Sequence, residues 1–309
     1  MSSMVPNARD RVDAHGDLDQ DDLYFQNLAK CDVNWRFETV QGFFKQASLE
    51  TDDMKFDYVN ENFGITKPWE QLKREVDELN EKSPPNVAYK VLFLARHGQG
   101  WHNIASQKYP KEEWFAKWRF LGTDNEITWG PDAELTELGV KQADENCVAW
   151  NNQLREGAPF PTKFYVSPLS RSIKTLERTW KDQSIPSPVV LENLRETIGV
   201  HLCHQRAPKS DIGKKFPFLT FEPSFTESDE LAVKYNPVRE ELHQQFLRIN
   251  GVLQELFEDD KLQFNSENSF VSITSHAGTI RSFITVVGHR KFTIPTGGMI
   301  PILVKGTRK

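Results

Sequence analysis

Three apolar runs in this sequence end abruptly at a turn that carries arginine or histidine. Residues 89–95 lead into Arg96-His97-Gly98-Gln99, residues 164–166 into Ser167-Pro168-Leu169-Ser170-Arg171, and residues 270–274 into Ser275-His276-Ala277-Gly278. Short, continuous apolar runs suit the strands of a parallel sheet, which is buried on both faces. Residues 189–191 offer a further strand of this kind, and 301–305 a last one. Helical patterns over 137–154, 169–182, 237–258 and 278–287 lie between them. The alternation predicts a three-layer α/β/α sandwich with a mostly parallel central sheet. In such an open sheet, ligands bind beyond the carboxyl ends of the strands, where the following helices direct their N-termini. The three runs therefore bring two arginines and two histidines to one edge. Arginine offers a planar fork of donors, and histidine can act as acid, base or nucleophile. That edge suits an oxyanion, most economically a phosphoryl group.

The rest of the chain frames this core. Residues 1–22 are polar and rich in aspartate, including Asp10 and Asp13, and read as a disordered acidic tail. Residues 23–88 regain aromatics and read as an N-terminal extension packed on the core. Its last part, 68–82, is predicted helical from Pro68 at its start and the spacing of Leu72, Val76 and Leu79. Residues 89–309 form the expected catalytic domain, with a capping insertion at about 201–236 where aromatics and prolines interrupt the rhythm. The 309 residues hold 38 Lys and Arg against 44 Asp and Glu, a formal charge of -6. That field repels nucleic acid and anionic lipid, so neither is an expected partner. Three scattered cysteines, Cys31, Cys147 and Cys203, exclude a disulfide framework and point to a reducing compartment, the cytoplasm or nucleus. Nothing in the sequence reports on oligomeric state.

The motifs go further. Leu94-Ala95-Arg96-His97-Gly98-Gln99, with Asn103 shortly after it, resembles the signature of the histidine phosphatase superfamily, in its phosphoglycerate mutase-like branch. Leu135-Thr136-Glu137-Leu138-Gly139 with Gln142-Ala143, the Ser167 to Arg171 block and the Ser275 to Gly278 block are similar to its later signatures. Arg96-His97-Gly98-Gln99-Gly100-Trp101-His102-Asn103, the stretch from Asn193 to Cys203 and Thr296-Gly297-Gly298 resemble the fungal phosphomutase-like (PMU-type) group more closely. The resemblance implies that His97 is a nucleophile giving a phosphohistidine. It implies that Arg96, Arg171 and His276 hold the phosphoryl oxygens with Asn103, and that Gln99 and Ala277 lie at the phosphate. Glu196 would be the general acid and base. No metal and no cofactor are implied.

The departures bear on the reaction. Glu196 is followed by Thr197-Ile198-Gly199 where mutases carry a different block, Gly100 stands where many have a small hydroxyl residue, and Ala277 replaces the aspartate of the acid-phosphatase branch. The expected function is therefore phosphomonoester hydrolysis on a small phosphorylated metabolite. A phosphoglycerate-mutase-type transferase and a catalytically weak phospho-ligand-binding protein are the alternatives. His201-Leu202-Cys203-His204 has a metal-like look but no second ligand pair nearby, and is expected to support the Glu196 loop. Arg206, Lys214 and Lys215 are candidates for meeting a second negative group on the substrate.

Overall fold

The computed structural model describes residues 2–16, 19–258 and 268–309. In chain order the elements are α1 (Ala8–His15), α2 (Asp19–Leu28), β1 (Trp35–Thr39), α3 (Trp69–Lys82), β2 (Val87–Arg96), α4 (Trp101–Lys108) and α5 (Lys111–Ala116). There follow α6 (Glu137–Arg155), β3 (Lys163–Val166), α7 (Ser170–Thr179), β4 (Val189–Val190), α8 (Lys209–Lys215), β5 (Thr220–Phe221) and α9 (Glu230–Lys234). The chain ends with α10 (Leu242–Glu258), β6 (Phe270–Ser275), α11 (Ala277–Val286) and β7 (Met299–Arg308).

The strands form one sheet in the order β1-β7-β2-β6-β3-β4-β5. All neighbours from β2 to β5 are parallel, and β7 runs antiparallel to both β1 and β2. β2 is apolar and almost wholly buried, and its side chains alternate between two helical layers. Phe93 faces Trp150 of α6, with ring centroids 4.9 Å apart, and Trp69 of α3. Lys90, on the opposite face, lies beneath Phe257 of α10. Helices α3, α6 and α7 thus cover one face, and α10 and α11 the other, as the alternation predicts. Among the described residues no helix is long and apolar enough to cross a membrane.

Register places the site. Arg96 pairs with Ser275 across β2–β6, and Val166 with Thr274 across β3–β6, so the three basic turns leave the sheet side by side. The first turn is pressed against the start of α6, where Thr136 caps the helix by accepting the Gly139 amide. A Cβ on Gly98 would lie 2.3 Å from the Gly139 carbonyl oxygen, so this close approach requires glycine.

Two expectations need correction. The 1–22 segment is not a disordered tail over its described part, because α1 and the start of α2 lie within it. Asn7 caps α1 in a reciprocal box with Asp10, and the backbone amide of Ser3 and the Ser2 hydroxyl donate to Glu145 of α6. Polar contacts, rather than an apolar face, dock this segment. Residues 1, 17 and 18 lie outside the described residues. The boundary drawn at residue 89 also falls inside β2, and the segment before it supplies β1, an edge strand of the central sheet. The 201–236 insertion contains β5, which extends the sheet at its other edge.

Candidate active site

His97 lies at the end of β2 and is 2% exposed. Its Nδ1 is 2.7 Å from the Gly98 carbonyl oxygen. A carbonyl can only accept, so Nδ1 carries the proton and Nε2 keeps its lone pair. Burial and then the charges of Arg171 and Arg96 hold its pKa well below the ordinary histidine value, so the ring is neutral. His276, at the start of α11, stands with its ring centroid 5.0 Å from that of His97. Its Nε2 is 2.7 Å from the Ser167 hydroxyl, whereas its buried Nδ1 has no protein partner.

Both arginines are buried with donors left over. Arg171 spends Nη1 on the Cys203 carbonyl at 3.0 Å, while Nε and Nη2 meet no protein acceptor. Arg96 spends Nη1 on Asp10 Oδ1 at 2.6 Å and on the Ile294 carbonyl at 2.7 Å, and its Nε is unpartnered. Unmade hydrogen bonds on buried cations are costly, so such a cluster of donors marks a place for an anion. Asn103 also faces the cleft; its Oδ1 accepts the Gly100 amide at 2.9 Å, which fixes the side chain. Ala277 lines the cleft at the first position of α11. Gln99 is a correction: its Oε1 accepts from the Thr136 hydroxyl at 2.9 Å, so it braces the turn and does not line the cleft.

Glu196 enters the same 620 Å³ cleft from the loop after β4. Its carboxylate accepts the amides of Thr197 at 2.9 Å and Gly278 at 3.2 Å. A Cβ on Gly278 would fall 2.1 Å from Glu196 Oε1, so glycine lets α11 present that amide. Burial pushes the Glu196 carboxyl up, but the two amides, with Arg239 and Arg281 nearby, outweigh it and leave the pKa below the ordinary value. Arg195 is not its partner. It is fully buried on Glu192 and Asp229.

Other residues expected from the sequence fall elsewhere. Arg206 is enclosed by Glu192 and by the carbonyls of Ala207, Thr226 and Ser228, so it holds the insertion together. Lys215 pairs with Glu134 and Ser170 in a separate cleft, and Lys214 is exposed outside the His97 cleft. The donor atoms of His201, Cys203 and His204 lie within 4.8 Å of one another. His204 Nδ1 donates to the Thr197 carbonyl at 2.7 Å, which supports the Glu196 loop. Burial pushes the Cys203 thiol up to about 11 despite the nearby Arg171 and Arg239, and that positive surrounding opposes a cation.

Five cleft residues escape the sequence reading. His102 stands with its ring 5.2 Å from that of His97. Asp10 holds Arg96, and Asp13 lines the cleft with its carboxyl raised by burial against the pull of Arg96. Arg239 and Arg281 lie beside Glu196. Only His102 has a local signal, its place beside Asn103 in the first motif.

A neutral buried histidine with a free Nε2, ringed by unspent donors, defines a phosphoryl-handling site. Residues 92–294 match the histidine phosphatase superfamily (branch 1), and the chain belongs to that superfamily. It is 36% identical to a probable phosphoglycerate mutase of Arthroderma benhamiae over 291 residues, 87% of this chain and 84% of that one. It is 31% identical to phosphomutase-like protein 3 of Candida albicans, over 87% of this chain and 80% of that protein. A solved phosphoglycerate mutase from Bacillus anthracis aligns at a TM-score of 0.45 with 17% identity, covering 71% of this chain and 89% of that one.

Proposed function

We propose that the protein is a phosphomonoesterase that hydrolyses a small phosphorylated metabolite through a phosphohistidine on His97, without a metal. One observation carries the reading: unpartnered buried donors on Arg96, Arg171 and His276 accompany a histidine whose proton is fixed on Nδ1. His97 Nε2 attacks phosphorus, and the ester oxygen leaves with a proton from Glu196. Arg96, Arg171, His276 and Asn103 hold the three non-bridging oxygens as charge gathers on them. Glu196, again a carboxylate, then takes a proton from the water that attacks phosphohistidine, which returns His97 and releases phosphate. Bound phosphate raises the Glu196 pKa by like charge, so the substrate itself helps to place the proton there.

The test is rapid quench with a labelled phosphomonoester. Acid-labile phosphate on the wild type, its absence on a folded His97→Ala variant, and turnover unaffected by EDTA are the expected results. Full turnover by the alanine variant, or loss in EDTA restored by a divalent ion, refutes the reading. The names of the relatives favour a second reading, phosphoryl transfer between positions of a phosphoglycerate. Strict dependence of turnover on a bisphosphate primer would establish it over hydrolysis.

A further inference from the structure

Arg239 is a cation with no counter-ion. It follows the insertion, lines the cleft, and makes no hydrogen bond or ion pair with any described residue, and its Nε is buried. The acids beside it in sequence are engaged: Glu240 holds Arg248 at 2.7 Å, and Glu241 lies 3.2 Å from His243. Arg281, from α11, reaches the same cleft with one bond from Nη1 to the Asp13 carbonyl at 2.9 Å, and its buried Nε is unpartnered. Two guanidinium groups with unspent donors thus lie in one cleft. An unpaired buried charge is costly to keep, and an incoming anion relieves that cost.

Their position separates them from the phosphoryl cradle. The cations that act most strongly on His97 are Arg171 and Arg96, whereas those acting most strongly on Glu196 are Arg239 and Arg281. Glu196 meets the leaving oxygen in the proposed reaction, so the second pair lies on the leaving-group side.

We infer that Arg239, assisted by Arg281, forms a subsite for a second anionic group on the leaving portion of the substrate, a carboxylate or a second phosphate. This rests on the phosphomonoesterase reading for the placement of the substrate. The preferred class is accordingly a small phosphomonoester that carries an acid group close to the ester oxygen. A neutral alcohol in that place would leave both guanidinium groups unpaired. The basic residues of the insertion singled out in the sequence, Arg206 and Lys215, do not perform this role, because each is already paired.

Equilibrium binding tests the subsite without requiring turnover. Phosphonoacetate and 2-hydroxyethylphosphonate are titrated calorimetrically into the full-length protein; they share the phosphonate and differ in the second charge. The wild type is expected to bind phosphonoacetate about 10–100-fold more tightly, the size of one charge-assisted hydrogen-bonded pair. Arg239→Gln should bring the ratio of the two affinities towards one, and Arg239→Lys should give an intermediate ratio, with folding checked by thermal denaturation. A wild-type ratio near one, or a ratio unchanged in Arg239→Gln, overturns the subsite. Binding selectivity that persists in a protein unable to hydrolyse any phosphomonoester would refute the phosphomonoesterase reading and leave the subsite standing.

Discussion

Asp10→Ala tests whether the N-terminal segment belongs to the catalytic machinery. Asp10 Oδ1 lies 2.6 Å from Arg96 Nη1, and the two side chains are 4% and 5% exposed. Its other oxygen accepts the Asn7 amide at 3.0 Å and closes the helix cap. The alanine variant leaves Arg96 buried with the Ile294 carbonyl as its one remaining partner. Breaking a buried ion pair from one side costs about 3–5 kcal/mol. With an unfolding entropy of about 2.1 cal/mol/K per residue, this chain has roughly 0.65 kcal/mol/K, so Tm should fall by about 5–8 °C. Scanning calorimetry in phosphate-free buffer measures it. Asp10→Asn keeps an acceptor for Arg96 and should lose less. Saturating phosphate should recover part of the loss in Asp10→Ala, because the anion supplies the missing counter-charge. Turnover should also drop, by about 10–100-fold, since a loosened Arg96 no longer aims at the phosphoryl oxygens. A Tm within about 1 °C of wild type, or a deficit that phosphate does not touch, would refute the reasoning.

Two further outcomes follow from the titrating groups. Glu196→Gln should slow hydrolysis of an alkyl phosphate by about 10²–10⁴-fold and of nitrophenyl phosphate only modestly, because nitrophenolate leaves without a proton. Single-turnover rates check it, and equal losses on both would assign Glu196 to binding. Stability should fall on acidification below about pH 6.5. Burial depresses His97, His102, His204 and His276 well below their ordinary value, with His201 at about 2 and His289 at about 4. The unfolded chain therefore takes up protons near pH 6.5 that the folded protein refuses, at up to about 1.4 kcal/mol per ring per pH unit. Stability is full above that range and is lost as pH falls through it; a Tm that is flat between pH 7 and pH 5 would contradict the burial of these rings.

The chemistry at the strand ends was legible from the sequence because it is local. Arg96, His97, Arg171 and His276 each follow an apolar run within a few residues, and a parallel sheet brings the carboxyl ends of neighbouring strands together. Periodicity located the strands from 89, 164, 189, 270 and 301 and the helices packed on them, since burial on a repeating face leaves a pattern. The edge strand β1 escaped it: its alternation is short, and its pairing with β7 joins Trp35 to Arg308 across nearly the whole chain. Tertiary structure alone decided which charges reach the cleft. Asp10 lies 86 residues from Arg96 in sequence, in a segment so polar that it resembles a solvated tail. Arg239 and Arg206 are both arginines near the insertion, yet one ends unpaired beside Glu196 and the other is sealed by Glu192 and three carbonyls. Gln99, inside the first motif, turns to Thr136. Long polar side chains bury no periodic face, so the sequence by itself carries no record of their partners. Only the folded chain selects them, because a charge–acceptor pair depends on distances that hydrophobic spacing does not encode.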